Sequence, residues 1–381
     1  MKIEIMSPDQ VTKFLSTKDL SNPTNGIHAV NLVLDRIVKK FLNSDGYPEP
    51  IIERRQPVTT VRENFDLLLF PTNSAVRSSI HTRYISMNTV LRTQASSIIT
   101  DVLPKLNEIG ISNSLILMPC LCFRKYNASD RLHCDEPHQL DIWQIKSGIP
   151  FLGKENLFNL IDTTVRCAIP HGEYQISEIE KDITVSHPYL IKAFKVRTKF
   201  HGEMVSVLEG GLINPHFLEH IGIDSSKHSA ICLGIMLDRA VMFIKDVDDV
   251  RLLRSTDARV CIQMKNLDRY VPISKYPLVK RDISFIASKK TTHGQIENFI
   301  RQILGEENAT LLEEVRILSE TSYDELQETA RKRLEMNSGK KNILVRLILR
   351  SHFRTLTTEE ANALSERVRL ALTIRNNLWS S

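Results

Sequence analysis

The chain has 381 residues, of which 42% are hydrophobic, 25% charged and 6% aromatic. That is ordinary globular usage, long enough for two domains, and it excludes a mostly disordered chain. No apolar run approaches the ~18 residues of a membrane span, and the formal charge of +5 permits a nucleic-acid partner without requiring one.

The opening MKIEIMSPDQ has early acids and neither an apolar h-region nor an Arg-rich stretch, so no secretory or organellar leader is expected. Six cysteines, at 120, 122, 134, 167, 232 and 261, are irregularly spaced, as in a reducing compartment. A cytoplasmic protein with no membrane partner is therefore expected. Residues 27–42 predict a helix, with Val30, Val33, Leu34, Ile37, Val38 and Phe41 on one face. Residues 51–90 read as loop-rich, and 91–106 as a second helix. The apolar run 115–123 predicts a buried strand, and further strands are expected at 190–199, 204–208 and 231–237. Strands without crossover helices favour an α+β fold with an antiparallel sheet.

Pro272 and Pro277 bracket a polar linker over 271–280, dividing the chain into domains 1–273 and 274–381. A strand at 283–287, a helix at 295–304, strands at 311–319 and 343–353 and a helix from Thr358 follow. Thr357 and Glu360 form a capping box for that last helix. Strand–helix–strand–strand–helix is the ferredoxin-like order. Most of the positive surplus lies in this domain. Arg331, Lys332, Arg333, Lys340 and Lys341 cluster before a strand, as either a solvated loop or a phosphate-contacting face.

Cys120-x-Cys122 with His133, Cys134 and His138 has the composition of a zinc site. Within an apolar strand, however, the two cysteines pack as small hydrophobes, and no metal site is expected. A strand–loop–strand reading fits the segment better. Arg124 ends the buried strand, and an arginine fork suits a phosphate. Gln139 and Asp141, two residues apart, face the same side of the returning strand and suit a substrate ammonium. A second arginine, Arg239, follows the apolar run 231–237. Taken singly, each arginine reads as a surface residue and His133 as a loop residue.

Together, and in this order, these pieces resemble phenylalanyl-tRNA synthetase in its single-chain form, a class II aminoacyl-tRNA synthetase. Asn64-Phe65-Asp66, with Arg77 and Thr82 beyond it, is similar to that family's NFD element. Leu91-Arg92-Thr93-Gln94-Ala95-Ser96 resembles its LRTHTS. Phe123-Arg124 through His133 to His138-Gln139-Leu140-Asp141 resembles motif 2. Phe200-His201-Gly202-Glu203 through Gly211-Leu212-Ile213-Asn214-Pro215 resembles its glycine-containing strand. Gly234 through Leu237-Asp238-Arg239, then Asp249-Val250-Arg251, resembles motif 3. Tyr276 through Phe285 resembles the opening of its anticodon-binding domain.

The resemblance implies an antiparallel-sheet class II catalytic domain followed by a βαββαβ ferredoxin-like domain. It implies ATP-dependent adenylation of an amino acid and transfer to tRNA, with Mg²⁺ on the phosphates, in a monomer or homodimer. Arg124 would take the α-phosphate and Arg239 the γ-phosphate, with His133 and Gly234 also at the ATP. Gln139 and Asp141 would hold the amino group, with Ser96 beside them. Departures from the family bear on the substrate. Ile183-Thr184-Val185-Ser186-His187-Pro188 stands for the FPF element, so both aromatics are lost, and Cys232 stands for a small alanine at the pocket floor. A pocket lined by Ile183, Val185 and Cys232 is expected to be aliphatic and shallow, suiting a smaller apolar amino acid. Tyr126 replaces a motif-2 glutamate, Met236 a motif-3 glycine and Gln94 the histidine of LRTHTS. The alternatives are a paralogue that serves a non-translational acceptor and a non-catalytic RNA-binding paralogue.

Overall fold

A computed structural model describes residues 3–125, 131–170, 172–179, 186–274, 276–309, 311–333, 336–351 and 354–378; Tyr126, Ile183 and Val185 lie outside these. The chain divides into two compact units, Met1–Val271 and Pro272–Ser381.

The first unit contains β1 (Pro50–Ile52), β2 (Val58–Thr60), β3 (Tyr84–Ser86), β4 (Thr89–Leu91), β5 (Asn113–Leu121) and β6 (His138–Ser147). It continues with β7 (Tyr174–Glu178), β8 (Leu190–Phe200), β9 (Glu203–Ile213) and β10 (His228–Met236). Seven of these make one sheet in the order β1-β5-β6-β10-β9-β8-β7, while β2, β4 and β3 form a small sheet. The β1–β5 pair is parallel and the other pairs of the large sheet are antiparallel. β8 turns into β9 through His201 and Gly202, both at positive φ (+49° and +88°). That is the backbone a two-residue hairpin needs to match strand twist.

Alternation along β10 separates the two faces of the sheet. Cys232, Gly234 and Met236 line a cavity. Ile231 and Ile235 are fully buried, on the opposite face by the period of two. Helix Lys154–Ala168 packs on β9 and β10, and helix Ala29–Leu42 packs on it. The latter buries Val30, Val33, Leu34, Ile37 and Phe41, as its period predicts.

The expected helix at 91–106 begins late. Leu91 ends β4, Gln94 is extended, a 3-10 turn spans Ala95–Ile98 and the helix runs Ile99–Ile109. Side-chain bonds explain the delay. Asn64 donates to Thr93 Oγ1 at 2.8 Å and accepts from the Thr93 N–H at 3.2 Å. Arg92 Nε donates to Ser97 Oγ at 2.9 Å. These hold Arg92-Thr93-Gln94 out of the helix and aim Ser96 at the sheet.

The second unit comprises β11 (Val279–Ser288), helix His293–Ala309, β12 (Leu312–Ser322), β13 (Lys340–Leu349) and helix Thr358–Leu378. The antiparallel strands lie in the order β11-β13-β12 over a core that includes Phe285, Ile296, Ile300, Val345 and Val368. A further strand closing βαββαβ is not among the described residues. Thr357 and Glu360 exchange the capping-box bonds at 2.9 and 3.2 Å. In the basic cluster, Lys332 pairs with Glu328 at 2.8 Å and Lys341 with Glu320 at 2.9 Å. Arg331 sits 4.4 Å above the Tyr323 ring.

Candidate active site

β6, β8, β9 and β10 surround a cavity of about 370 Å³. Ser96, Arg124, His133, Gln139, Asp141, Cys232, Gly234 and Arg239 all line it, bringing together every described member of the expected set.

At one end, Arg239 opens helix Leu237–Lys245 and donates to Ser206 O at 2.5 Å and His133 Nε2 at 2.8 Å. The helix is fixed to β6 through a buried pair. Asp238 accepts from the His138 backbone N–H and, at 2.7 Å, from its Nδ1–H. His138 Nε2 accepts from the Leu20 N–H at 2.9 Å, which sets the tautomer. Burial alone would raise the Asp238 pKa; the hydrogen bonds from His138 and the nearby charge of Arg254 outweigh it and hold it below the ordinary value. Arg239 is thus registered against Gln139 and Asp141. His138, weighed as a zinc ligand, serves this structural pair.

From Arg124 a continuous run of hydrogen bonds crosses the cavity. Arg124 Nε donates to Thr93 O at 2.9 Å and Nη2 to Gln139 Oε1 at 3.2 Å. Gln139 Nε2 donates to Asp141 Oδ1 at 2.8 Å. Ser96 Oγ donates to Asp141 Oδ2 at 2.5 Å and meets the Tyr189 hydroxyl at 3.1 Å. Burial lifts the Asp141 pKa to about 6, against hydrogen bonds from Ser96 and Gln139 and the charge of Arg124. An arriving ammonium would favour its ionised form. Gly234 lies opposite Asp141 in register, and a Cβ there would fall 2.8 Å from Asp141 Oδ1 and 2.9 Å from Gln139 Nε2. Glycine leaves room for that pair.

The expectation of an aliphatic pocket without aromatics requires correction. Tyr189 and His187 both line the cavity. Tyr189 is buried, stacks on Trp143 at 5.9 Å and 26°, and touches Phe217 at 6.0 Å. Lys195 and Glu209, from β8 and β9, line it as well. The His187-Pro188-Tyr189 triplet, aromatic–proline–aromatic at the entrance to β8, was the available signal. Gln94 turns away, donating to Asn64 O at 3.0 Å.

Parallel-sheet nucleotide folds place phosphate at a helix N-terminus. An antiparallel sheet that presents two arginines to one polar cavity is instead the arrangement of class II aminoacyl-tRNA synthetases. The chain belongs to the phenylalanyl-type branch of that class: residues 15–264 match the family model described as tRNA synthetases class II core domain (F). Residues 274–378 match the ferredoxin-fold anticodon binding domain. The chain is thereby a phenylalanyl-tRNA synthetase-like ligase. It is 26% identical over 348 residues to the chloroplastic/mitochondrial phenylalanine–tRNA ligase of Arabidopsis thaliana, covering 90% of this chain and 75% of that protein. It is 24% identical over 413 residues to the mitochondrial phenylalanine–tRNA ligase of Saccharomyces cerevisiae, covering 90% and 85%. Among solved structures, the pyrrolysyl-tRNA synthetase of Desulfitobacterium hafniense aligns with a TM-score of 0.47 at 14% identity, over 65% of this chain and 78% of that one. Among the described residues no helix is long and apolar enough to cross a membrane. Both curated relatives are named for organelles, which lends the expected cytoplasmic location no support.

Proposed function

We propose that this protein activates an α-amino acid with MgATP and transfers it to tRNA, and that the cavity is the adenylation site. The supporting observation is the run Arg124–Gln139–Asp141–Ser96, which joins a phosphate-binding fork to an ammonium-binding carboxylate within one cavity. The amino-acid carboxylate attacks the α-phosphorus and pyrophosphate leaves. A terminal tRNA hydroxyl then attacks the carbonyl carbon, and AMP leaves. Neither step requires a side-chain nucleophile; the enzyme supplies position and charge. Arg124 holds the α-phosphate as charge passes onto it. Arg239, steadied by His133 and Ser206, takes the γ-phosphate, with Gly234 in the cavity floor. Gln139 and Asp141 hold the ammonium.

Mg²⁺ enters with the nucleotide. Among the described residues the carboxylates lining the cavity are Asp141 and Glu209, and the latter is paired with Lys195 at 2.8 Å. The ion would be carried in on the nucleotide as part of the substrate, supplying positive charge to the phosphates beside Arg124 and Arg239. The domain at 274–381 is assigned to the tRNA. Pyrophosphate exchange over the twenty amino acids, with Arg124→Ala alongside, tests this reading. It predicts exchange with at least one amino acid and its near-abolition in the variant. No exchange with any amino acid would refute it.

A further inference from the structure

Beyond the hydrogen-bonded run from Arg124 to Tyr189, the His133–Arg239 pair and the Cys232 thiol, the described residues lining the cavity include a separate charged group, Lys195, Glu209 and His187. Lys195 and Glu209 stand opposite each other on β8 and β9 and pair at 2.8 Å through Glu209 Oε1. His187 Nε2 lies 3.5 Å from Glu209 Oε2. Burial lowers the His187 pKa; Glu209 opposes that, while Lys195 and Arg124 add to it.

The strand register says where this group sits. Gly234 of β10 is opposite Asp141 on one side and opposite Glu209 on the other. The space above it therefore lies between a carboxylate that faces the ammonium and a carboxylate that faces Lys195. An amino acid with its ammonium on Asp141 has two other substituents to place. Its carboxylate must face Arg124 and the α-phosphate. Its side chain is left with the direction across Gly234, bounded by Tyr189 and Cys232 and ending at Lys195, Glu209 and His187.

We propose that Glu209 and Lys195, with His187, read the side chain of the amino acid, and that the substrate carries a neutral polar group, a hydroxyl or a carboxamide. This rests on the adenylation reading above and names its substrate class. A hydroxyl or carboxamide offers a donor to Glu209 and an acceptor to Lys195, so it joins the pair without stranding either charge. A phenyl ring or alkyl chain desolvates both and returns no bond. A charged side chain meets one like charge and takes the partner of the other. Sites built to hydrogen-bond a substrate group reject analogues lacking it far more strongly than apolar pockets discriminate by size.

Pyrophosphate exchange by the full-length protein, ranked by kcat/KM over the twenty amino acids, tests the proposal. The expected leaders are serine, threonine, asparagine or glutamine, by about 10²-fold over phenylalanine; the ceiling for such sites is higher, but Glu209 and Lys195 are 32% and 29% exposed. In the double variant Lys195→Met/Glu209→Leu that advantage should shrink at least ~10-fold, with the loss expressed against the amino acid and not against ATP. Should the double variant fail to fold, Glu209→Gln should still lower kcat/KM for the preferred amino acid. Exchange led by phenylalanine or an aliphatic amino acid, or a ranking unchanged in the folded variants, would overturn the proposal and leave adenylation standing. Exchange with no amino acid would overturn both.

Discussion

Replacing Gly234 by alanine puts a methyl group beneath the proposed ammonium site. The new Cβ would meet Asp141 Oδ1 at 2.8 Å and Gln139 Nε2 at 2.9 Å, closer than real Cβ contacts allow. The backbone cannot yield readily, because β10 is paired on both sides at this residue. The two side chains must move, which breaks their 2.8 Å bond and displaces the carboxylate from Ser96. A hydrogen bond to a charged group is worth about 1.5–3 kcal/mol, or roughly 10- to 150-fold in the amino-acid kcat/KM. Fold stability should fall too, by about 1–3 kcal/mol, since the methyl separates a buried carboxylate from its hydrogen-bond donors. Pyrophosphate exchange at varied amino-acid concentration reads the loss, with thermal unfolding as the control. An alanine variant with amino-acid kcat/KM within twofold of the parent would show that Gln139 and Asp141 do not hold the ammonium.

Arg124→Ala should lose ~3 kcal/mol or more of transition-state stabilisation, on the order of 10²-fold in exchange, while Arg239→Ala should act mainly on the KM for ATP. Equal effects on both parameters in both variants would remove the distinction between α- and γ-phosphate roles. With the Asp141 pKa raised to about 6 by burial, the free enzyme should lose amino-acid kcat/KM about tenfold per unit below pH 6, because a protonated carboxyl cannot neutralise the ammonium; Asp141→Asn should lack that limb. Asp238→Ala leaves the His138 backbone N–H and Nδ1–H buried without their acceptor and should cost about 1–3 kcal/mol per stranded donor by denaturant unfolding. Since the Asp238 pKa is depressed in the fold, its contribution is present above the ordinary value near 4 and is lost as pH falls below it, so the deficit should shrink in acid. A chain ending at Val271 should exchange pyrophosphate yet charge tRNA poorly and with a shallower salt dependence; equal charging would show that the second unit does not read tRNA.

Periodicity made helix Ala29–Leu42, strands β5 and β8 and the elements of the second unit legible, because each buries one face over several repeats. It failed at 91–106, where Leu91, Ile98, Val102 and Leu103 supply a helix-like pattern. Three side chains, Asn64, Arg92 and Ser97, hold the first turn open there, and bonds across 29 residues leave no trace in local spacing. The residues of the proposed phosphate and ammonium ends, which the fold brings to one cavity, could be picked out from ordered motifs. The side-chain end could not. Placing the FPF equivalent at 183–188 put Ile183 and Val185, which lie outside the described residues, in the pocket; among the described residues of this stretch His187 and Tyr189 line it. Glu209 gave no sequence signal, since its place opposite Gly234 comes from register alone.

If the cavity takes ATP and an amino acid as proposed, the hydrogen-bonded run from Arg124 to Tyr189 ties the two sites together. Gln139 has one carbonyl and one amide; while the carbonyl accepts from Arg124, the amide is turned toward Asp141. An ammonium that ionised and ordered Asp141 would fix Gln139, and through it the Arg124 fork proposed to take the nucleotide. Whatever factor the amino acid contributes to nucleotide affinity, the nucleotide must return to the amino acid. Titrations of each ligand with and without the other would measure that shared factor. Uncoupling Gln139 should bring it to one, with each site still able to fill alone.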